Sequence, residues 1–157
     1  MIGRDRPMQR SLREVSFRKS PRIPGFDYSS ENYYFVTICT HEKQCCFYSN
    51  GSLNHCGKTA QRFLSQIPEH FTGVKVDKYV VMPNHMHAIV IIEQDCTVAL
   101  PTIIGQYKSA VSRHSSVSPL WQRSFHDHVI RNQISYEKIW NYIDTNPIRW
   151  NEDCFYV

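Results

Sequence analysis

"KYVVMPNHMHAIVII" (residues 78–92) holds two β-branched, apolar runs separated by Pro83-Asn84. Valine and isoleucine favour extended backbone, and a Pro-Asn pair favours a tight turn. The segment reads as two antiparallel strands, "VKVDKYVVM" (74–82) and "HMHAIVII" (85–92). The second strand opens on two histidines one residue apart, His85 and His87. Alternate side chains of a strand share a face, with Cα atoms about 6.5–7 Å apart. His85 and His87 therefore look one way, while Met86 and Ala88 look the other, toward core. Two readings stay open on spacing alone: half-buried histidines on a solvated face, or two imidazoles leaning onto one divalent ion.

Working outward, "NYYFVTICT" (32–40) is aromatic and β-branched, a first strand. "LNHCGKTAQRFLSQIP" (53–68) puts Ala60, Phe63, Leu64 and Ile67 at helical spacing, with a cap near Asn54 and a stop at Pro68. Pro101 suits the start of a second helix running to about Ser115, with Ile103, Tyr107, Ala110 and Val111 inward. "LWQRSFHDHVI" (120–130) reads as a further strand, and "SYEKIWNYIDTNP" (135–147) as a helix ending before Pro147. The order βαββαβ plus a terminal helix predicts an α+β fold: a ferredoxin-like antiparallel sheet with helices packed on it.

At 157 residues the chain fits one domain. No apolar run approaches the ~20 residues of a membrane span, and "MIGRDRPMQR" lacks the apolar stretch of a signal peptide. The expected location is cytoplasmic, with no membrane partner. Six cysteines form no C-x-x-C pair, so scattered reduced thiols are expected rather than zinc or disulfides. The net charge of +4 is uneven. Arg4, Arg6, Arg10, Arg13, Arg18, Lys19 and Arg22 face only Asp5 and Glu14 across residues 1–22, which gives +5 there and −1 elsewhere. Residues 1–30 read as a basic N-terminal arm and 31–157 as the folded domain. The arm is either a solvated tail or a contact for phosphate backbone, which is electrostatic and indifferent to sequence. Phe17, Phe26 and Tyr28 beside it could stack on splayed bases.

On the last helix, Tyr136, Ile139, Trp140 and Ile143 form one stripe, the face expected to be buried. Tyr142 lies about 120° from the centre of that stripe, and Asn146 follows one turn later at a similar azimuth. A phenol and a carboxamide are thus predicted together on a side not used for packing. Tyr107 and Tyr136 are rival nucleophiles, set aside because each fits a buried stripe.

These residues carry a resemblance. "MPNHMH" (82–87) resembles the HUH signature (His, hydrophobic, His) of single-tyrosine transposases. "LWQRSFHDHVIRN" and "YIDTNPIRW" are similar to the downstream signature of the REP-associated tyrosine transposases (RAYT), as are "GFDYSSENYYFVTICT" and "IIGQYKSAVSR". The likeness spans about residues 17–153. It implies that His85 and His87 are metal-binding histidines, that Asn146 is the third, amide ligand, and that Tyr142 is the catalytic nucleophile. It further implies Mg²⁺ or Mn²⁺ as cofactor, single-stranded or hairpin DNA as substrate, and a nucleoid-associated enzyme that cleaves and rejoins strands through a 5′-phosphotyrosine link. A homodimer is open beside a monomer. His126 and His128, a second H-x-H, and Lys138, one turn before Tyr142, are secondary candidates for phosphate contact. A histidine-triad hydrolase fails on Ile89, and a zinc deaminase lacks its H-x-E and C-x-x-C. The rival from another class is a catalytically silent module of the same fold that only grips hairpin nucleic acid.

Overall fold

The computed structural model describes residues 22–148 and 150. Its main sheet contains β1 (Asn32–Cys39), β4 (Val74–Met82), β5 (His85–Ile92) and β6 (His126–Ile130) in the spatial order β4-β5-β1-β6. All three pairings are antiparallel. That order is the one a βαββαβ chain produces when it folds in the ferredoxin-like way. Pairing of β4 with β5 begins at Met82↔His85, so Pro83 and Asn84 alone make the turn.

β5 is a central strand with both faces covered. Met86, Ala88, Val90 and Ile92 join the larger core beneath α1 (His55–Ser65) and α3 (Leu100–Arg113). On the opposite face, Phe35, Ile89 and Ile130 pack against Ile139, Tyr142 and Ile143 of α4 (Gln133–Thr145). Burial on both sides explains the nearly unbroken apolar run in β5.

Asn54 caps α1 as expected, its side chain accepting from the Gly57 amide at 3.0 Å. Gly57 is dictated by contact: a Cβ there would lie 2.2 Å from the Phe47 carbonyl oxygen. Pro68 does not stop the helical segment. The break falls at Gln66, and Pro68 lies in the first turn of a short α2 (Ile67–His70), where its missing N–H costs nothing. In α3 the buried stripe is Ile103, Ile104, Tyr107 and Val111, with Ala110 half-buried. Asn132 caps α4, accepting from the Ser135 amide at 2.8 Å.

The strand expected over 120–130 is shorter, starting only at His126. Residues 120–125 form no continuous ladder: an isolated bridge pairs Thr40 with Trp121, and Lys108 Nζ donates to the carbonyls of Gln122 (2.8 Å) and Ser124 (3.2 Å). A small hairpin, β2 (Tyr48–Ser49) and β3 (Ser52–Leu53), turns at Asn50-Gly51, both with positive φ (54° and 81°). That Asn-Gly pair is a strong hairpin signal the sequence reading passed over.

Residues 22–30 pack on the globule: Tyr28 is buried, its hydroxyl accepts from the Ile23 amide at 2.7 Å, and Phe26 and Tyr34 pack around it. Tyr28 is therefore a core residue and Phe26 is half-buried against it, while Phe17 lies outside the described residues. Arg22 is committed inward as well. Its guanidinium donates to Asp127 Oδ1 (2.9 Å) and Phe125 O (2.7 Å) and lies 3.4 Å over the Phe125 ring. The Asp127 side chain is fully buried, so removing this cation weakens what stabilises a carboxylate in low dielectric. Arg22→Met is expected to cost on the order of 3 kcal/mol in denaturant unfolding, and Arg22→Met with Asp127→Leu appreciably less. Equal losses in the two variants would contradict a buried ion pair.

Candidate active site

The antiparallel register sets which side chains meet. Directly paired residues share a face, so Cys39 stands beside His85, Thr37 beside His87, and Phe35 beside Ile89. This is the face that α4 covers. His85 and His87 are 0% and 1% exposed, which rules out a solvated histidine face. Their ring centroids lie 4.6 Å apart at 69°.

Each imidazole is oriented through Nδ1. His85 Nδ1 sits 2.8 Å from Asn84 Oδ1, and His87 Nδ1 sits 2.8 Å from Thr37 Oγ1. Asn84 is itself pinned: its carbonyl accepts from the Thr40 amide and hydroxyl, each at 3.0 Å, and its Nδ2 donates toward Lys43 O at 3.4 Å. The Asn84 oxygen can only accept from His85, which fixes the Nδ1–H tautomer and leaves the Nε2 lone pair as donor. Metal-ligating histidines are held in this way, with the far nitrogen bonded to a fixed partner. Phe35 stacks on the His87 ring at 5.3 Å and 29°, locking its plane.

α4 brings the other two residues. Tyr142 is 4% exposed, and its ring lies 5.2 Å from that of His87 and 6.5 Å from that of Phe35. Asn146 is 1% exposed at the C-cap, its amide bonded to Ile143 O. Trp150, four residues on, stacks on His85 at 5.9 Å and 29°. Asn146 thus lies in the chain midway between one residue over His87 and another over His85. Atoms His85 Nε2, His87 Nε2 and Asn146 Oδ1 are all shielded from solvent. Two neutral imidazole nitrogens and an amide oxygen suit a first-row divalent ion, and the buried, pre-oriented set fits one. Among the described residues, no group of three or more His, Cys, Asp or Glu gathers as a metal site.

One expectation is corrected. Tyr142 and Asn146 stand together, but on the packed side of α4, where Ile139, Tyr142, Ile143 and Asn146 follow i, i+3, i+4, i+7 spacing. Tyr136 and Trp140 are displaced to the rim by polar partners on β4. A β-bulge between Val76 and Lys78 turns two consecutive side chains toward the helix. The Tyr136 hydroxyl donates to Asp77 Oδ2, and Lys78 Nζ reaches Asp144 Oδ1 at 2.7 Å while lying 4.1 Å from the Trp140 ring centroid. Such exposed contacts are each worth little, about 0–1 kcal/mol. Their effect is to set the rotation of α4 and hence the aim of Tyr142. Sequence reasoning missed Thr37, Asn84 and this bulge, although Asn84 adjoins the motif and Thr37 breaks an otherwise apolar strand.

The remaining candidates separate. His126 pairs with Thr37 and His128 with Phe35, so both lie on the site face, half-buried, two strands or about 10 Å of backbone from the first pair. Lys138 is exposed on α4. Arg4, Arg6, Arg10, Arg13, Arg18 and Lys19 lie outside the described residues, and Arg22 is used within the fold. Tyr107 is buried, donating to Ala60 O at 2.8 Å, and burial holds its hydroxyl well above the usual range.

No family model matches the chain. It is 33% identical, over 171 aligned positions, to an uncharacterized protein of Haemophilus influenzae, covering 91% of this chain and 95% of the relative. The chain belongs to the family of that protein. Among solved structures it is similar to a REP-associated tyrosine transposase bound to a REP hairpin, with a TM-score of 0.66, 18% identity, and 85% of this chain and 74% of the other covered. A Deinococcus radiodurans protein, provisionally described as a transposase, follows at TM-score 0.52 and 17% identity, with 79% and 95% covered. The fold is of the REP-associated tyrosine transposase type. No helix among the described residues is long and apolar enough to cross a membrane.

The Tyr136–Asp77 bond gives a pH signature. Accepting that hydrogen bond, Asp77 favours the neutral phenol, and the Tyr136 pKa is pushed up to about 12. The folded state therefore holds this proton more tightly than an unfolded chain with pKa ~10, and the stabilisation is complete below pH ~10 and lost as pH rises toward 12. Thermal unfolding between pH 9 and 12 is expected to show a fall in Tm that shrinks in Tyr136→Phe. An identical slope in both proteins would contradict the bond.

Proposed function

We propose that the chain is a metal-dependent DNA strand transferase of the HUH, single-tyrosine class, acting on single-stranded or hairpin DNA with Tyr142 as nucleophile. The observation that carries the reading is the Tyr142 ring 5.2 Å from a histidine whose far nitrogen is already held by Thr37. A fold shared with a transposase bound to a REP hairpin supports it, as does a sequence resemblance at these same positions.

His85, His87 and Asn146 would hold Mg²⁺ or Mn²⁺, which when bound withdraws charge from the non-bridging oxygens of the scissile phosphate. Thr37 and Asn84 keep the imidazoles aimed. The Tyr142 hydroxyl attacks phosphorus in line and loses its proton. The bond to the 3′-oxygen breaks, and that oxygen leaves as a 3′-hydroxyl once protonated. A 5′-phosphotyrosine link remains on Tyr142. Because the phosphodiester is exchanged rather than hydrolysed, a second 3′-hydroxyl can reverse the step and join new strands. Close packing by Phe35, Ile139 and Ile143 keeps water away from the link, which favours transfer over hydrolysis. His126 and His128 extend the same face along β6, where a strand leaving the centre would pass. The basic residues before Arg22 supply salt-sensitive affinity.

Incubation with single-stranded hairpin DNA and Mn²⁺ is expected to give a protein–DNA adduct on denaturing gels, absent in Tyr142→Phe. Thr37→Val, which keeps shape but removes the partner of His87, is expected to slow adduct formation about 10–100-fold with hairpin binding nearly unchanged. Hairpin binding without any adduct would leave only a silent binding module. An adduct persisting in Tyr142→Phe would move the nucleophile elsewhere.

A further inference from the structure

A cavity of about 440 Å³ opens where β4 turns into β5, immediately beside His85. Met82 and Pro83 of the turn line it, together with Tyr48 and Gly51 of the β2–β3 hairpin and Pro147 and Trp150 beyond α4. The Trp150 ring that lines the cavity is the one stacked on His85, so cavity and histidine pair share a wall. The Tyr48 ring is held in place by its hydroxyl, which donates to Val81 O at 2.9 Å. At Gly51 nothing lies within 4 Å of where a Cβ would stand, so the hairpin tip leaves the cavity mouth open.

The lining has a definite chemical character. Among the described residues it carries no Lys, Arg, His, Asp or Glu, and what they offer is apolar surface rather than counter-charge for a phosphate or a metal ion. Two aromatic rings and two prolines offer flat apolar faces, while the Asn50 carboxamide adds a donor and an acceptor at one side. Flat faces with a single polar group suit a planar heteroaromatic ring. The volume lies within the roughly 300–1,000 Å³ of small-ligand pockets.

We propose that this cavity takes the nucleobase adjoining the scissile phosphate, an inference that rests on the strand-transfer reading above. One base seated against Trp150 and Tyr48 places the neighbouring phosphodiester at His85, and Asn50 reads its edge. The site thereby selects the position of cleavage by holding an unpaired base, which a paired stem does not offer.

The test uses the full chain carrying Tyr142→Phe, so that no strand is cut, and hairpin oligonucleotides bearing 2-aminopurine at each unpaired position in turn. At one position the fluorescence is expected to fall several-fold on binding, with the fall lost in Trp150→Leu and in Tyr48→Leu. An abasic site at that position, which leaves the protein unaltered, is expected to weaken binding about 5- to 100-fold. No position with such a fall, a fall indifferent to both substitutions, or an abasic site without effect overturns the proposal. Failure of strand transfer itself is read separately, as absence of a covalent adduct with the unmutated chain.

Discussion

Placement of His87 between Thr37 and α4 is the constraint on which the rest of the site depends. The imidazole is buried, paired across the sheet with Thr37, stacked on Phe35 and bordered by Tyr142. A buried imidazole without fixed partners would be costly and free to turn. Here the Thr37 oxygen takes one ring nitrogen, the Phe35 ring fixes the plane, and the other nitrogen is shielded from solvent. All of this follows from register. A one-residue slip between β1 and β5 would send both histidines to the opposite face and put Met86 under α4. The apolar set Met86, Ala88, Val90 and Ile92, locked beneath α1 and α3, prevents that slip.

Much of this was legible in the chain. Strand order follows from the succession of strand and helix patterns, the Pro83-Asn84 turn from its residue types, and the grouping of His85 with His87 from the two-residue repeat of any strand. The pairing of Tyr142 with Asn146 follows from helical spacing. The face they occupy did not, for a physical reason. Tyr136 and Trp140 are apolar enough to define a stripe, yet each carries a polar or π-rich surface that charged partners can draw to the rim. Asp77 and Lys78 do so, and the bulge that aims them has no signature in the residues around it. Likewise, Arg22 reads as one more charge in a basic run, because the buried carboxylate it meets lies 105 positions away.

The two edges of the site differ in how firmly they are held. On the His87 side, Ile139, Tyr142 and Ile143 bury against Phe35, Ile89 and Ile130, an apolar seam that stabilises α4 on the sheet. On the β4 side, the contacts are exposed and individually weak, so they tune the helix without anchoring it. On β6, His126 and His128 share the face of Tyr142, while Asp127, which holds Arg22, points to the other face beside Val36.

The most direct measurement is anomalous diffraction from crystals of the protein soaked in Mn²⁺. One Mn²⁺ peak within bonding distance of His85 Nε2, His87 Nε2 and Asn146 Oδ1, with the Tyr142 hydroxyl on the same side, is the expected result. No peak at the histidines, or a peak there with the phenol directed away and Asn146 uninvolved, would contradict a common centre built from β5 and α4.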